Sequence, residues 1–237
     1  MKRNLYIGLI TLFSLFVSGC TKAPNVNYNA QMHKDIKKIT IASSNFGNEL
    51  DVYYHNHPGM SFGLVGSLVA AAEFSSKKTT YNKLIASNKF NVSSYLVSRV
   101  AYHLAKQKYK VTTLKLEAKN RTEFLKEYPK SNTDAYLDIM IANAGYIAES
   151  PRASYKPSVY VKTRLVKNRD KSVVYDKFVS AGENFALPKE VDYVGFEENH
   201  TYKDFDTLKT KCKSSTEGIK KALDKIAKRI ALSLKRG

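Results

Sequence analysis

Three consecutive segments in the second half of the chain, 135–147, 159–166 and 172–180, are predicted to be β-strands, and they constrain the fold most. Leu137, Ile139 and Ile141 share one face of the first segment. The second segment alternates with the two-residue period of a strand, with Val159, Val161, Thr163 and Leu165 on one side and Tyr160, Lys162 and Arg164 on the other, and the third follows as its hairpin partner. The polar turn between the last two segments spans only 168–171, which is too short for the helix that joins parallel strands. The sequence therefore predicts a sheet that is at least partly antiparallel.

A long basic helix is predicted at the carboxy-terminal end, over 203–235. Its apolar residues recur at intervals of three, four or seven, which places them on one face of a helix. Most of its lysines lie off that face. The apolar stripe consists of Phe205, Leu208, Cys212, Ile219, Leu223, Ile226, Ile230 and Leu234.

The rest of the chain shows both kinds of pattern. Strands are predicted at 36–42, 50–54 and 109–116, an amphipathic helix at 90–108, a short helix at 121–128 that ends before Pro129, and a loop at 182–200. The order of elements predicts an α+β fold: a mixed, partly antiparallel sheet with helices packed on one side and a long carboxy-terminal helix. We expect one globular domain over 36–237.

The segment 58–72 carries no charged residue and is unusually rich in small ones. Pro58 suits a helix start. Gly59, Gly63, Gly66 and Ala70 follow at spacings of four, three and four, so they would share one helical face. Small residues let another backbone approach closely. Two interpretations stay open: a helix packed tightly on the sheet or a neighbouring helix, or a segment that self-associates or touches a membrane. The segment is short for a membrane span, which needs roughly 20 apolar residues.

The amino terminus carries a targeting pattern. Lys2 and Arg3 precede an apolar run over 5–17, and the small residues Ser18 and Gly19 lead into Cys20. The stretch Val17-Ser18-Gly19-Cys20 resembles the lipobox of bacterial lipoproteins, with Val17 in place of the usual Leu. The resemblance implies a signal peptide over 1–19, palmitate-type lipid attached to Cys20, and a tether over 20–35.

The same resemblance bears on location. In lipoproteins of Gram-negative bacteria, Asp after the lipidated cysteine is an inner-membrane retention signal, whereas this chain has Thr21. The resemblance therefore implies a lipid-anchored protein of the bacterial cell envelope, on the outer membrane and facing the periplasm if the host is Gram-negative.

Cysteine content and charge limit the remaining classes. The chain has two cysteines, so if Cys20 carries lipid, Cys212 has no disulfide partner, and we expect it to be buried on the helix stripe. The formal net charge is +18, which favours anionic lipid, lipopolysaccharide or acidic protein surfaces as partners. Lysine predominates over arginine, a composition that suits solvation more than bidentate phosphate recognition, so nucleic acid is not expected as a partner.

No catalytic motif accompanies these features. His55 and His57 alternate as two metal ligands on a strand would, but no third ligand is near in sequence. Asp134 and Asp138 could face a cleft as an acid–base pair, or could simply match basic residues on a neighbouring strand. We find no nucleophile elbow, phosphate-binding glycine loop or zinc spacing. The sequence therefore predicts no enzyme, no cofactor and no metal site.

A second resemblance concerns the hairpin itself. Arg164-Leu165-Val166, followed after the turn by Asp170-Lys171-Ser172-Val173-Val174-Tyr175, resembles the sheet hairpin of periplasmic lipoproteins related to the curli-secretion lipoprotein and to the amino-terminal domain of the translocation protein TolB. Asp134-Ala135-Tyr136-Leu137 is similar to the strand start in that group, although the turn lacks the usual glycine. The resemblance implies a compact α/β sandwich and a non-enzymatic binding or assembly role, including a secretion or envelope-assembly complex or a homo-oligomer.

Overall fold

A computed structural model describes residues 25–46, 49–88, 90–119, 121–182 and 190–236. The predicted signal peptide and Cys20 lie outside these residues. The described part contains one mixed sheet whose strand order is β3-β1-β4-β5-β6-β7, with β2 paired to β4 beyond the end of β1. The strands are β1 (Lys38–Asn45), β2 (Asp51–Tyr54), β3 (Lys110–Lys119), β4 (Ala135–Ala148), β5 (Lys156–Lys167), β6 (Val173–Gly182) and β7 (Asp192–Tyr193).

The longest strand, β4, organises the sheet. Its first half lies parallel to β1, with Ile39 opposite Ala135, and its second half lies parallel to β2, with Asp51 opposite Gly145. Along its other edge β4 pairs antiparallel with β5 over nearly its whole length, and β5 pairs antiparallel with β6. The α+β class, the mixed sheet and the antiparallel hairpin predicted from sequence are confirmed.

The hairpin turn does without the glycine that such turns usually have. Lys171 has a φ of 59°, the left-handed conformation that glycine adopts most easily. The Asp170 side chain accepts hydrogen bonds from the backbone N–H and the hydroxyl of Ser172, at 3.0 and 2.6 Å. This local bonding stabilises the turn without glycine.

Helices cover one side of the sheet. They are α1 (Gly63–Ile85), α2 (Val92–Lys106), α3 (Phe205–Thr210) and α4 (Cys212–Ser233). Helix α4 buries Ile219, Leu223, Ile226 and Ile230 completely, and α2 buries Val92, Leu96, Val100 and Leu104. The apolar stripes read from the sequence are thus the faces that pack.

The predicted long carboxy-terminal helix is confirmed as α4, but it is shorter than the predicted range of 203–235. Asp204 caps α3 by accepting the backbone N–H of Thr207 at 2.7 Å, and the helix is interrupted at Lys211, where φ is −108° and ψ is 34°. The short helix directs Phe205 towards Tyr155, whose ring centroid lies 6.3 Å away. The same stripe therefore serves two helices that pack on different parts of the core.

The short helix predicted over 121–128 is wrong, since these residues form bends and irregular backbone. Asp138, fully buried on β4, holds the segment across the open face of the sheet. Its carboxylate accepts the backbone N–H of Leu125 at 2.9 Å and the hydroxyl of Tyr128 at 3.1 Å, and it pairs with Arg121 at 2.5 Å. These tertiary bonds outweigh the modest helix propensity of the segment.

The later part of the segment read as a tether contacts the domain. Val26 exchanges backbone hydrogen bonds with Asp176, at 3.0 Å each, on the edge of β6 that also carries β7. The Tyr28 hydroxyl accepts a hydrogen bond from Tyr109 at 3.3 Å. The chain therefore joins the domain beside β6 from residue 26 onward.

Candidate functional site

The most distinctive surface is a group of exposed apolar side chains at the start of α1. Their exposed fractions run from 52% for Met60 to 78% for Leu64. We call this group the apolar tip, and it comprises Met60, Phe62, Leu64, Val65, Leu68 and Val69. Contiguous apolar surface on a globular domain commonly marks a site of protein or membrane interaction.

The tip is built from a 3₁₀ helix over Pro58–Phe62 followed by the first turns of α1. The two pieces meet at Gly59 and Gly66. A Cβ atom on Gly66 would lie 2.0 Å from the carbonyl oxygen of Gly59, so only glycine permits this approach. Gly59 and Gly66 therefore pack two parts of the segment against each other, whereas the large apolar side chains beside them stay exposed. Gly63 is different, because nothing lies near its Cβ position and its φ is 64°.

A polar cluster supports the base of the tip. The Nδ1 atom of His57 accepts the backbone N–H of Gly59 at 2.9 Å, which assigns the ring proton to Nε2. Nε2 donates to the Glu73 carboxylate at 3.0 Å, and Glu73 also pairs with Lys77 at 2.9 Å. The hydrogen bond from His57 is the main cause that lowers the pKa of Glu73. These contacts fix the 3₁₀ helix to the body of α1.

The two histidines considered as metal ligands both have structural contacts here. The described residues contain no group of three His, Cys, Asp or Glu side chains that could hold an ion. His57 acts as a helix cap, while the backbone N–H of His55 bonds to the carbonyl of Ala148 at 2.8 Å. Both residues thus stabilise the junction between β2, β4 and the tip.

The second half of α1 packs firmly, in contrast with the tip. Tyr81 and Ile85 are buried, and the Tyr81 hydroxyl hydrogen-bonds that of Ser215 on α4 at 2.6 Å. In the first half only Gly66 and Ala70 are buried. Helix α1 is therefore held to the domain at one end and exposes large apolar side chains at the other.

A bilayer-spanning helix was not expected of this segment. In the part of the chain that the structure describes, no helix is both long enough and apolar enough to cross a membrane. After the tip, α1 continues with Glu73, Lys77, Lys78 and Lys83. Only its first three turns are uncharged.

The two aspartates considered as an acid–base pair, Asp134 and Asp138, bind different parts of the chain. Asp134 accepts the backbone N–H groups of Lys37 and Lys38, at 2.8 and 2.7 Å, and so ties the start of β1 to β4. Asp138 pairs with Arg121, whereas Arg164, which lies opposite it on β5, pairs with Asp176 at 2.7 Å. The match to a basic neighbouring strand is therefore only partial, because the counter-charge of Asp138 comes from the 121–130 segment.

Cys212 and the lysines of the basic helix α4 were also predicted from the sequence to be notable. Cys212 is a free thiol at the start of α4, half-buried rather than buried as expected. On α4, Lys220 pairs with Glu217 at 2.6 Å and Arg229 with Asp192 at 2.6 Å. Several other lysines of this helix are exposed, namely Lys213, Lys221 and Lys228.

No family model matches the chain, and no curated protein matches it. Among solved structures, it is similar to protein XCC0632 from Xanthomonas campestris, with 9% identity and a TM-score of 0.44, over 89% of this chain and 94% of that one. It is similar to a PelC dodecamer from Paraburkholderia phytofirmans, with 11% identity and a TM-score of 0.36, over 92% and 95%. Lipoprotein GNA1162 from Neisseria meningitidis is similar at 15% identity and a TM-score of 0.21, over 61% and 83%. These similarities concern the arrangement of elements and carry no argument about function.

Proposed function

We propose that the chain is a lipid-anchored lipoprotein of the bacterial envelope, and that its mature domain is a non-enzymatic binding or assembly component. The apolar tip is the surface that docks the partner. The observation that carries this proposal is the exposure of six large apolar side chains on a segment without charge. Burying such surface stabilises a complex by roughly 25 cal/mol per Å² before the costs of association.

The anchor rests on the amino-terminal sequence. Residues 1–19 are the signal peptide, lipid is attached to Cys20, and residues 20–35 lead to a single domain over 36–237. Each buried methylene contributes about 0.8 kcal/mol, so the two or three acyl chains of a lipoprotein anchor it stably. With Thr21 after the cysteine, the protein is placed on the outer membrane, facing the periplasm, in a Gram-negative host.

The anchor is tested by labelling cells with radioactive palmitate and fractionating their membranes. Wild-type protein should carry label in the outer membrane, and Cys20→Ala should carry none. Cys212→Ala is the matched control and should be labelled like the wild type. Unlabelled wild-type protein in the soluble fraction would remove the anchor from the proposal.

The docking role is tested by cross-linking in the intact envelope. Leu64→Asp puts a charge at the most exposed position of the tip, where it breaks no packing contact of the domain. We expect it to abolish cross-links to a second copy or to an envelope protein. Lys221→Asp, on exposed α4 surface, should leave them unchanged. Equal cross-linking by both variants would contradict docking through the tip.

A second candidate function is direct contact of the tip with a membrane, which the exposure of large apolar side chains on an uncharged segment favours. In this case the basic surface of α4 would meet anionic head groups, an attraction that salt weakens. Protein with Cys20→Ala should then float with vesicles that contain phosphatidylglycerol at low salt, and Leu64→Asp should reduce that flotation. Absence of flotation at low salt would leave docking to a protein as the role of the tip.

A further inference from the structure

The face of the sheet opposite the helices carries a cavity of about 970 Å³. Strands β4, β5 and β6 form its floor, and the 122–130 segment, held by Asp138, forms its wall. This volume is at the upper end of the range of about 300–1,000 Å³ that small-molecule sites occupy. The residues that line it include Phe124, Leu125, Met140, Lys162, Val166 and Phe178.

The chemistry of the floor selects against a peptide. Strand β5 pairs with β4 on one side and β6 on the other, so its backbone N–H and C=O groups are already bonded in the ladders. A peptide laid across this surface would have to bury its own backbone groups without partners, which is costly. A hydrocarbon chain has no such groups, and Phe124, Leu125 and Phe178 offer it half-buried apolar surface.

A cation without a counter-charge lies within these apolar walls. Lys162 projects from the middle of β5, with its Nζ atom 5.2 Å from the centre of the Phe178 ring. It forms no ion pair with any described residue, whereas Arg164 on the same face pairs with Asp176 at 2.7 Å. Lys162 and Met140 also line an adjoining cavity of about 290 Å³, in which Lys78 is paired with Asp51 at 2.8 Å. Lys162 is thus available to a ligand.

The rim of the larger cavity also carries positive charge. Lys126, Lys130 and Lys171 line it, against the two carboxylates of Glu123 and Glu127. Together with Lys162 and the neutralised pair Arg164–Asp176, the lining carries an excess of positive charge. An anion is therefore attracted to the cavity as a whole and meets Lys162 at its floor.

From this arrangement we propose that the cavity binds a single-chain amphiphile with an anionic head group, either a carboxylate or a phosphate. The hydrocarbon tail lies over Phe124, Leu125 and Phe178, and the head group accepts hydrogen bonds from the Lys162 ammonium. This site is separate from the apolar tip and does not depend on the docking role proposed above.

The test uses the full-length protein in phosphatidylcholine vesicles at pH 8, where a carboxylic acid head is ionised. Photoreactive palmitic acid is the probe, and adducts are located by mass spectrometry of peptides. We expect adducts on peptides that contain residues 122–130 and 173–180. The methyl ester of the same probe, with an equal tail and no charge, should label these peptides about tenfold less, because a hydrogen bond between charged groups is lost.

Variants at Lys162 separate recognition of the head group from general partitioning. Lys162→Met keeps the length of the side chain and should reduce cavity labelling about tenfold, while Lys162→Arg should retain it. Lys221→Met removes the same charge from exposed α4 surface and should have no effect. Labelling retained by Lys162→Arg also shows that a substitution at this position leaves the domain folded.

A parallel arm with photoreactive lysophosphatidic acid distinguishes the two head groups. Stronger Lys162-dependent labelling by one probe identifies that head group as the one recognised. The proposal is overturned if neither probe labels the cavity peptides, if the ester labels as well as the acid, or if Lys162→Met leaves the labelling unchanged.

Discussion

The two long helices of the domain use their apolar residues in opposite ways. Helix α4 is rich in lysine, yet ten of its residues are buried, including Ile219, Leu223 and Ile226. Helix α1 begins with an uncharged apolar run, yet only four of its residues are buried, and two of those are small. Burial in this domain therefore follows the spacing of apolar residues along the helix and not their number.

This difference indicates what each helix is for. The stripe of α4 matches the sheet, so its apolar side chains stabilise the domain itself. The large apolar side chains at the start of α1 lie on the side of the helix away from its buried residues Gly66 and Ala70, so the domain leaves them uncovered. Such a segment stabilises the domain little and retains apolar surface for another molecule.

The largest effect that tests this contrast is expected from Ile226→Ala. Ile226 is fully buried, so its truncation leaves a cavity and should lower the free energy of unfolding by about 2–5 kcal/mol. Leu64, on the tip, is 78% exposed. Leu64→Ala removes a similar side chain and should change the free energy of unfolding by no more than about 0.5 kcal/mol. Urea unfolding followed by circular dichroism measures both. A large loss in Leu64→Ala that depends on protein concentration would mean that the tip is already covered by a second copy.

The next effect concerns the glycine contact that forms the tip. Gly66→Ala introduces a Cβ atom that would lie 2.0 Å from the Gly59 carbonyl oxygen, so the 3₁₀ helix must move away from α1. We expect a loss of about 1–3 kcal/mol, the usual cost of forcing an extra methyl group into a packed contact. Hydrogen exchange should accelerate over 58–66 and stay unchanged around Tyr81. Ser67→Ala, one residue along on the exposed surface, is the control. Uniform acceleration over the whole of α1 would contradict a local role.

A smaller effect is expected where α1 and α4 meet. Tyr81→Phe removes the buried hydrogen bond to Ser215, and the free energy of unfolding should fall by about 1 kcal/mol. Tyr102→Phe, at an exposed position on α2, should leave it unchanged. If Tyr81→Phe were neutral, the attachment of α1 would depend on the apolar contacts of Tyr81 and Ile85 alone.

Much of the fold was predictable, because its strongest signals are periodic. The alternation along β5 and the stripe of α4 each extend over many residues, and each predicted the buried face correctly. The break at Lys211 was not predictable, since the stripe continues through it and only the Asp204 cap marks a separate start. The prediction of a helix over 121–128 failed for a different reason. The conformation of this segment depends on Asp138, a buried charge distant from it in sequence, and local propensity contains no information about such a partner.

The candidate sites were predictable only in part. The sequence identified the uncharged segment that forms the tip, but it did not show that Gly59 and Gly66 contact each other and leave the larger side chains outside. The alternation along β5 placed Lys162 on the polar face of its strand, which is the usual position of a solvated lysine. What distinguishes Lys162 is that it forms no ion pair with a described residue and that Phe124 and Leu125, from a distant part of the chain, provide a wall beside it.

The smallest effect in this series is the pH dependence of the cluster beneath the tip. The pKa of Glu73 is lowered, first by the hydrogen bond from His57 and further by Lys77, although burial opposes the shift. A carboxylate with a lowered pKa contributes stability that is complete above the pKa of the unfolded chain, near 4.5, and is lost as pH falls through its folded value. Because the Glu73 side chain is 38% exposed, we expect less than about 1 kcal/mol at neutral pH. Hydrogen exchange over 58–62 should therefore be faster in Glu73→Gln than in wild type at pH 7, and the difference should disappear as pH falls below 4.5. Glu217→Gln, which removes an exposed carboxylate from α4, should leave exchange in this segment unchanged, because the ion-pair partner of Glu217 among the described residues is Lys220 on its own helix. A difference that persists at low pH would show that Glu73 supports the tip by its shape and not by its charge.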